Sequence, residues 1–286
     1  MMPPSFQEAM TMDQIARGLT FKALHTRPGT FVIPNPWDVG SARLLAMLGF
    51  EALATTSSGQ AFTIGKPDGV GAVSRAEALS SITPIVAATN LPVSADLENG
   101  FGDTPEVCAE TIRLAAKIGL VGGSIEDSTG RSEAPIYPFE LAVERVKAAV
   151  LAAHTQSFPF LLTARAENYL HGRNDLSDTL RRLEAFAAAG ADVLFAPGLK
   201  TKEEIQAAVK AVAPKPINVI MGLVGQSMTV AELTDLGVKR ISLGSSLARA
   251  AYGAFLRAAK EVKQDGTFNF AKEAVPFAEI NGMFKK

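Results

Sequence analysis

The chain has 286 residues, 47% of them hydrophobic and 20% charged, with a formal net charge of −1. That balance supplies a full core and gives no electrostatic reason to expect nucleic acid or an anionic membrane as partner, so a small molecule is the expected ligand. Its single cysteine, Cys108, has no internal partner, the opening MMPPSFQEAM lacks the basic flank and apolar core of a signal peptide, and no apolar run reaches the ~18 residues of a membrane span; a cytoplasmic location is the expectation.

In chain order, eight short apolar runs recur: FVIPN (31–35), ALATT (52–56), LPVSAD (91–96), GGSIED (122–127), FLLTAR (160–165), DVLFAP (192–197), INVIMG (217–222) and RISLG (240–244). They are nearly continuous in apolar and small residues, the pattern of strands buried on both faces of a parallel sheet. Helical segments lie between them. Ser74 with Glu77, Thr201 with Glu204 and Thr229 with Glu232 have capping-box spacing, and Thr104-Pro105 pairs a cap with proline at the first helical position. Gly49, Gly119, Gly190 and Gly237 stand as helix stops a few residues ahead of the next strand. Cys108, inside PEVCAETIRLAAKIGL, reads as a small buried helix residue rather than a nucleophile. Eight such units, with no break in composition, predict one (β/α)8 barrel domain over 1–286; a doubly wound open sheet is the alternative. The tail from about Ser246 to Lys286 carries two further helical stretches split by QDGTF, more than a barrel needs to close.

In such barrels the working residues sit at the carboxyl ends of the strands. Those ends carry Asn35, Trp37 and Asp38; Thr56, Ser57, Ser58 and then Asp68; Asp96 and Glu98; Glu126 and Asp127; Arg165 and Glu167; and, on the seventh strand, Asn218. Several carboxylates facing one cavity repel each other unless a cation neutralises them. Magnesium prefers oxygen ligands and takes only one or two carboxylates directly. The expected arrangement is Asp96 as a direct ligand with Glu98 and Glu126 acting through water; the competing one has each acid capping a helix or pairing with Arg165 or Arg173. In SADLENGFGD, Asp96 and Glu98 lie two apart and would share a face if the strand continued, while Asp103 is expected to cap the helix after it. TTSSG (55–59) offers hydroxyls and consecutive N–H groups to a carboxylate or phosphate oxygen, or is an ordinary turn. Arg165, leaving a buried strand, needs an anion, either Glu167 or a substrate carboxylate. His171 is a loop histidine with a weak claim to a site role. Trp37, Phe62, Tyr169, Phe195 and Met221 are the expected apolar walls.

Over nearly the whole chain the stretches NPWDVGSARLLAMLGFEALATTSSG, GKPDG, SADLENGFGD, SIED and TARAE resemble, in order and at similar spacing, the isocitrate lyase and phosphoenolpyruvate mutase superfamily. The resemblance implies a (β/α)8 barrel whose C-terminal helices are exchanged between subunits of a dimer or tetramer. It also implies Mg2+, with Mn2+ as a substitute, and a small carboxylate substrate handled through an enolate-like intermediate. The family's metal acids fall on Asp96, Glu98 and Glu126 and its further acid on Asp68. Its substrate contacts fall on Thr56, Ser57 and Ser58 and its arginine on Arg165. The catalytic set expected is thus Asp68, Glu126 and Arg165, with Trp37 and Asn218 completing the substrate contacts. Where the family has D-x-D-x-G-Y-G, this chain has D-L-E-N-G-F-G.

One loop departs further. After the fourth strand, isocitrate and methylisocitrate lyases carry K-K-C-G-H, whose cysteine protonates the product; here the loop is DSTGRSEAPIYP, without Cys or Lys. The lysine and asparagine of the mutase loop are absent too, leaving Arg131, Ser132 and Tyr137 as gate residues. The expectation is a Mg2+-dependent carbon–carbon lyase acting on a small 2-oxo or 2-hydroxy (di)carboxylate, oxaloacetate decarboxylase-like, with solvent or Tyr137 protonating the enolate. The alternatives are a phosphonopyruvate hydrolase or mutase acting on a P–C bond, and a 2-oxo acid binding protein without turnover.

Overall fold

The computed structural model describes residues 6–225 and 227–285, the side chains of residues 6–11 excepted. The opening MMPPS of the leader reading and the final Lys286 of the tail lie outside the described residues. A helix α1 (Phe6–Thr26) leads into β1 (Phe31–Ile33), α2 (Val39–Met47), β2 (Leu53–Ala54), α3 (Ser57–Thr63), α4 (Arg75–Ala87), β3 (Val93–Asp96) and α5 (Pro105–Lys117). There follow β4 (Gly122–Glu126), α6 (Phe139–His154), β5 (Leu161–Arg165), α7 (Leu176–Ala188), β6 (Val193–Phe195) and α8 (Lys202–Val212). The chain ends with β7 (Ile217–Ile220), α9 (Val230–Asp235), β8 (Arg240–Ser242), α10 (Ser246–Asp265) and α11 (Phe277–Met283).

Each of the eight apolar runs contains one strand. Every ladder is parallel and the order is sequential, with β8 returning to β1. That closure removes the doubly wound alternative, whose sheet has two free edges. The seam between β1 and β2 is held by the Ala54 N–H donating to the Pro34 carbonyl at 3.1 Å. Asn35 closes it at the mouth, donating from Nδ2 to the Thr55 carbonyl at 3.0 Å and accepting at Oδ1 from the N–H groups of Leu243 and Gly244.

Local signals place these elements. Ser74, Thr201 and Thr229 form reciprocal capping boxes with Glu77, Glu204 and Glu232, and Asp38 forms a fourth with Ser41. Such caps satisfy N–H groups that the first helical turn leaves open, each contributing about 1 kcal/mol. Thr104 makes no side-chain cap bond; α5 begins on Pro105 alone. Gly49, Gly119, Gly190 and Gly237 take φ of 85 to 102°, the left-handed stop that a side chain would strain.

The amino-terminal end of the barrel is plugged by α1, whose Phe21 and Leu24 pack with Phe31, Ile33, Val121 and Leu161. Gly122 permits that approach, since a β-carbon there would lie 2.8 Å from the Phe21 ring and 3.1 Å from the Leu161 carbonyl. Inside, the barrel departs from the bulky branched filling usual for this fold. Ser94, Thr163, Asn218, Arg240 and Ser242 are all buried polar residues on its strands. No helix among the described residues is long and apolar enough to cross a membrane.

The tail is poorly covered. On α10 only Ala248 is buried, while Phe255 and Leu256 are 64% and 52% exposed; beyond it, Phe268, Val275 and Phe277 are exposed as well. Cys108 is buried and free within α5, and burial pushes its thiol up, the state of an inert packing residue.

Candidate active site

The carboxyl ends of the strands open onto a cavity of about 220 Å3 lined by Thr56, Ser57, Ser58, Asp68, Asp96, Arg165 and Asn218. A neighbouring cavity of about 270 Å3 is lined by Glu98 and Glu126 with Arg75, Asn99 and Ser128. Trp37 lines neither. It packs instead on α3, where the absent side chain of Gly59 makes room for its β-carbon. Of the other apolar walls expected, Phe195 lines the first cavity, while Phe62 packs on Tyr252, Tyr169 donates to Glu204, and Met221 belongs to the core. Leu170, Pro197 and Leu223 take their place.

Arg165 lines the first cavity and pairs with an acid of each. Its Nη1 meets Asp96 Oδ1 at 2.9 Å, its Nη2 meets Glu126 Oε2 at 3.1 Å and its Nε meets Glu167 Oε1 at 2.8 Å. Strand register brings this about, since Glu126 on β4 lies directly beside Arg165 on β5. The Phe195 ring lies 5.4 Å from the guanidinium carbon. Burial alone would weaken the charge, but Glu167, Glu126 and Asp96 outweigh it and push the Arg165 pKa up.

Asp96 is the most heavily bonded of the acids. Its Oδ1 also accepts the Glu98 N–H at 3.2 Å, and its Oδ2 accepts from Ser57 Oγ at 2.9 Å and Ser57 N at 3.3 Å. Ser57 and Arg165, both expected to receive a substrate carboxylate, thus hold a carboxylate of the protein. Ser58 Oγ donates a short hydrogen bond to Asp68.

One positive group against Asp68, Asp96, Glu98, Glu126 and Glu167 leaves negative charge uncompensated. Burial, then the charges of Asp96 and Asp68, push Glu98 up to about 8. Burial raises Asp68 also, against the pull of its Ser58 hydrogen bond. Glu126 lies well above the carboxylate range, raised by burial with Glu167, Asp96 and Glu98 against Arg165. This donor set, hard oxygens in excess of cations, fits a divalent ion of the magnesium type. Among the described residues no three of His, Cys, Asp and Glu converge tightly enough to hold an ion alone. An ion held directly by Asp96 and through water by Glu98 and Glu126 does not require it.

Several sequence expectations need correction. β3 ends at Asp96, and Glu98 takes φ 47°. The two acids are therefore not alternate residues of one strand; a left-handed turn carries Glu98 to the neighbouring cavity. Asp103 does not cap α5. It accepts from Tyr137 Oη at 2.6 Å and from Arg131 at 3.0 Å, tying the loop after β4 to the loop after β3. Tyr137 is 2% exposed, and burial together with its bond to Asp103 pushes the phenol up to about 12. It is a strut, not a proton donor to the cavity. Arg145, unread from sequence, stacks 4.0 Å over the Tyr137 ring and donates to the carbonyls of Asn99, Gly102 and Asp103. His171 lines neither cavity; it bonds Ser128, a wall residue of the second, at 3.0 Å. Asp127 is structural, accepting from Arg182 at 3.0 Å and from the Glu167 N–H at 2.8 Å.

A (β/α)8 barrel with a buried arginine bracketed by acids at its mouth is the architecture of an enzyme-type site. Residues 21–263 match the sequence model of the family described as phosphoenolpyruvate phosphomutase. The chain belongs to that family, within the phosphoenolpyruvate mutase/isocitrate lyase superfamily of carbon–carbon lyases and mutases. A structure from Burkholderia cenocepacia J2315, described as a lyase/mutase without a stated substrate, is 59% identical, with a TM-score of 0.93 over 96% of this chain and 98% of that one. The protein Rv1998c of Mycobacterium tuberculosis (strain ATCC 25618 / H37Rv) is 32% identical over 264 residues, 92% of this chain and 95% of the relative. Oxaloacetate decarboxylase of Paraburkholderia xenovorans (strain LB400) is 32% identical over 183 residues, 62% of this chain and 59% of the relative.

The raised Glu98 carboxyl links stability to pH. A carboxyl raised in the folded state stabilises while protonated, and that contribution is lost as pH rises through its folded value. Without added divalent ion, the melting temperature should fall as pH rises toward about 8, and Glu98→Gln should make the fall shallower in calorimetric scans. Identical slopes for the two proteins would remove the assignment.

Proposed function

We propose that the chain is a divalent-metal-dependent carbon–carbon lyase for a small 2-oxo or 2-hydroxy (di)carboxylic acid, with oxaloacetate decarboxylation as the leading activity. The observation that carries this reading is the Asp96 carboxylate, fixed by Ser57 and Arg165 beside an under-neutralised cluster of acids that suits a hard cation. Mg2+, or Mn2+ in its place, would be held by Asp96 directly and by Glu98 and Glu126 through water, and supplies Lewis-acid polarisation of the 2-oxo group. Arg165 and Ser57 hold the Asp96 carboxylate in place, and Thr56 fixes the turn by accepting the Gly59 N–H at 3.4 Å. Asp68, its pKa raised by burial and its carboxyl accepting from Ser58, stands at the cavity wall. With Tyr137 engaged by Asp103, protonation of the product carbon falls to solvent. Decarboxylation tolerates this, because its product needs no stereospecific protonation. The 32% identical oxaloacetate decarboxylase supports the same choice.

The test offers oxaloacetate, other 2-oxo acids and 2-methylisocitrate with Mg2+, and phosphonopyruvate followed by phosphorus NMR. Release of CO2 from oxaloacetate should require the ion and drop by about 100-fold or more in Asp96→Ala. Undiminished turnover by that variant, or reaction of phosphonopyruvate alone, would contradict the reading.

We also propose a homo-oligomer, a dimer or tetramer, in which the C-terminal helices cross to a neighbouring subunit. The exposed Phe255, Leu256, Phe268 and Phe277 support it, since so large an apolar surface is unfavourable in water. Sedimentation should give a multimer that Phe255→Glu with Phe277→Glu converts to smaller species; a wild-type monomer at micromolar concentration would oppose it.

A further inference from the structure

Arg240 is a buried cation with no acid beside it. It opens β8, is 6% exposed, and forms no ion pair among the described residues. Its Nε donates to Asn218 Oδ1 at 2.8 Å, its Nη2 donates to Thr163 Oγ1 at 2.9 Å, and its Nη1 lies 3.4 Å from His25 Nε2. His25 cannot offset the charge: burial and then Arg240 itself hold its pKa down at about 3, and the ring stays neutral. Burial alone pulls Arg240 down to about 9, with no carboxylate acting against it. A guanidinium presents five N–H donors. Three are engaged here, which leaves two without a protein acceptor. Buried charges are ordinarily paired, because an unpaired one loses its hydration without compensation.

The same side chain lines the cavity that carries Ser57, Asp96 and Arg165 at its mouth. The small polar residues Ser94, Ser124 and Ser242 line it too, so it continues into the barrel interior, where branched side chains would normally close it. Asn218 is already oriented for this purpose, its amide donating to Ser242 Oγ at 2.9 Å while its carbonyl holds the arginine.

We infer that Arg240 forms the floor of an anion subsite that takes a carboxylate, borne either by the far end of a dicarboxylate substrate or by a separate small anion. The inference rests on the reading of the mouth as a 2-oxo acid site, and it makes the preferred ligand doubly anionic in sum. A planar guanidinium with two adjacent nitrogens is the natural partner of a carboxylate.

Binding is measured calorimetrically with Mg2+ present, using pyruvate, malonate, succinate and 2-oxoglutarate, and using pyruvate with and without formate. If the substrate supplies the second carboxylate, wild type binds at least one dicarboxylate about tenfold or more tightly than pyruvate. Arg240→Gln then brings that ratio to within about twofold. If a separate anion supplies it, formate tightens pyruvate binding in wild type and has no effect in Arg240→Gln. A wild type showing neither preference overturns the inference, as does either preference persisting in folded Arg240→Gln. Should Arg240→Gln fail to fold, Arg240→Lys, which keeps the charge and loses the fork, must still reduce whichever effect wild type shows, the dicarboxylate ratio or the formate enhancement, and an unchanged effect overturns the inference. Turnover is assayed separately. Dicarboxylate preference without any 2-oxo acid turnover retains the subsite and removes the lyase reading, whereas turnover without preference does the reverse.

Discussion

The structure depends on one buried guanidinium. Arg165 gathers Asp96 from β3, Glu126 from β4 and Glu167 from beyond β5, so three segments of the mouth are located by a single planar fork. A buried ion pair is not a stability device in itself; its removal is costly because the partner charges are left behind without solvent. Here three carboxylates would be left.

That arrangement is also incomplete by design of its charges. Arg165 cannot balance Asp68, Asp96, Glu98, Glu126 and Glu167 together, and the imbalance falls on Glu98 and Glu126, whose carboxyls are pushed toward the neutral form. A site in which some acids are protonated for want of a cation is one that a hard cation can enter with release of protons. At the opposite end of the same cavity the sign reverses, since Arg240 has neutral partners only. The cavity therefore runs from an acid-rich mouth to a cationic floor, a polarity suited to a ligand that is anionic at depth and metal-chelating at the mouth.

Much of this was legible from sequence because it follows local rules. Buried parallel strands are continuous apolar runs, and each of the eight runs holds one strand. Capping boxes and glycine stops depend on residues three or four apart, and those behaved as their spacing predicts. The acids at the strand ends were visible because charge is rare in such runs. What escaped depends on backbone turns or distant partners. Glu98 left the strand because its φ is positive, which alternation along a strand cannot anticipate. Asp103 sat at a plausible cap position but was drawn to Tyr137 and Arg131, 34 and 28 residues away. Trp37 follows a strand end yet lines neither cavity, its β-carbon lying against Gly59 of α3. Arg240 gave no signal, since an arginine at the start of a run reads as a solvated flank; only closure of the barrel over it shows a buried cation.

The central claim is that the mouth acids form one ion site built on Asp96. Crystals grown with Mn2+ and measured for its anomalous scattering test it most directly. The account predicts a peak bonded to an Asp96 carboxylate oxygen and facing Glu98 and Glu126, with Arg165 still in place beside it. A peak remote from Asp96, or none at saturating Mn2+, would contradict it.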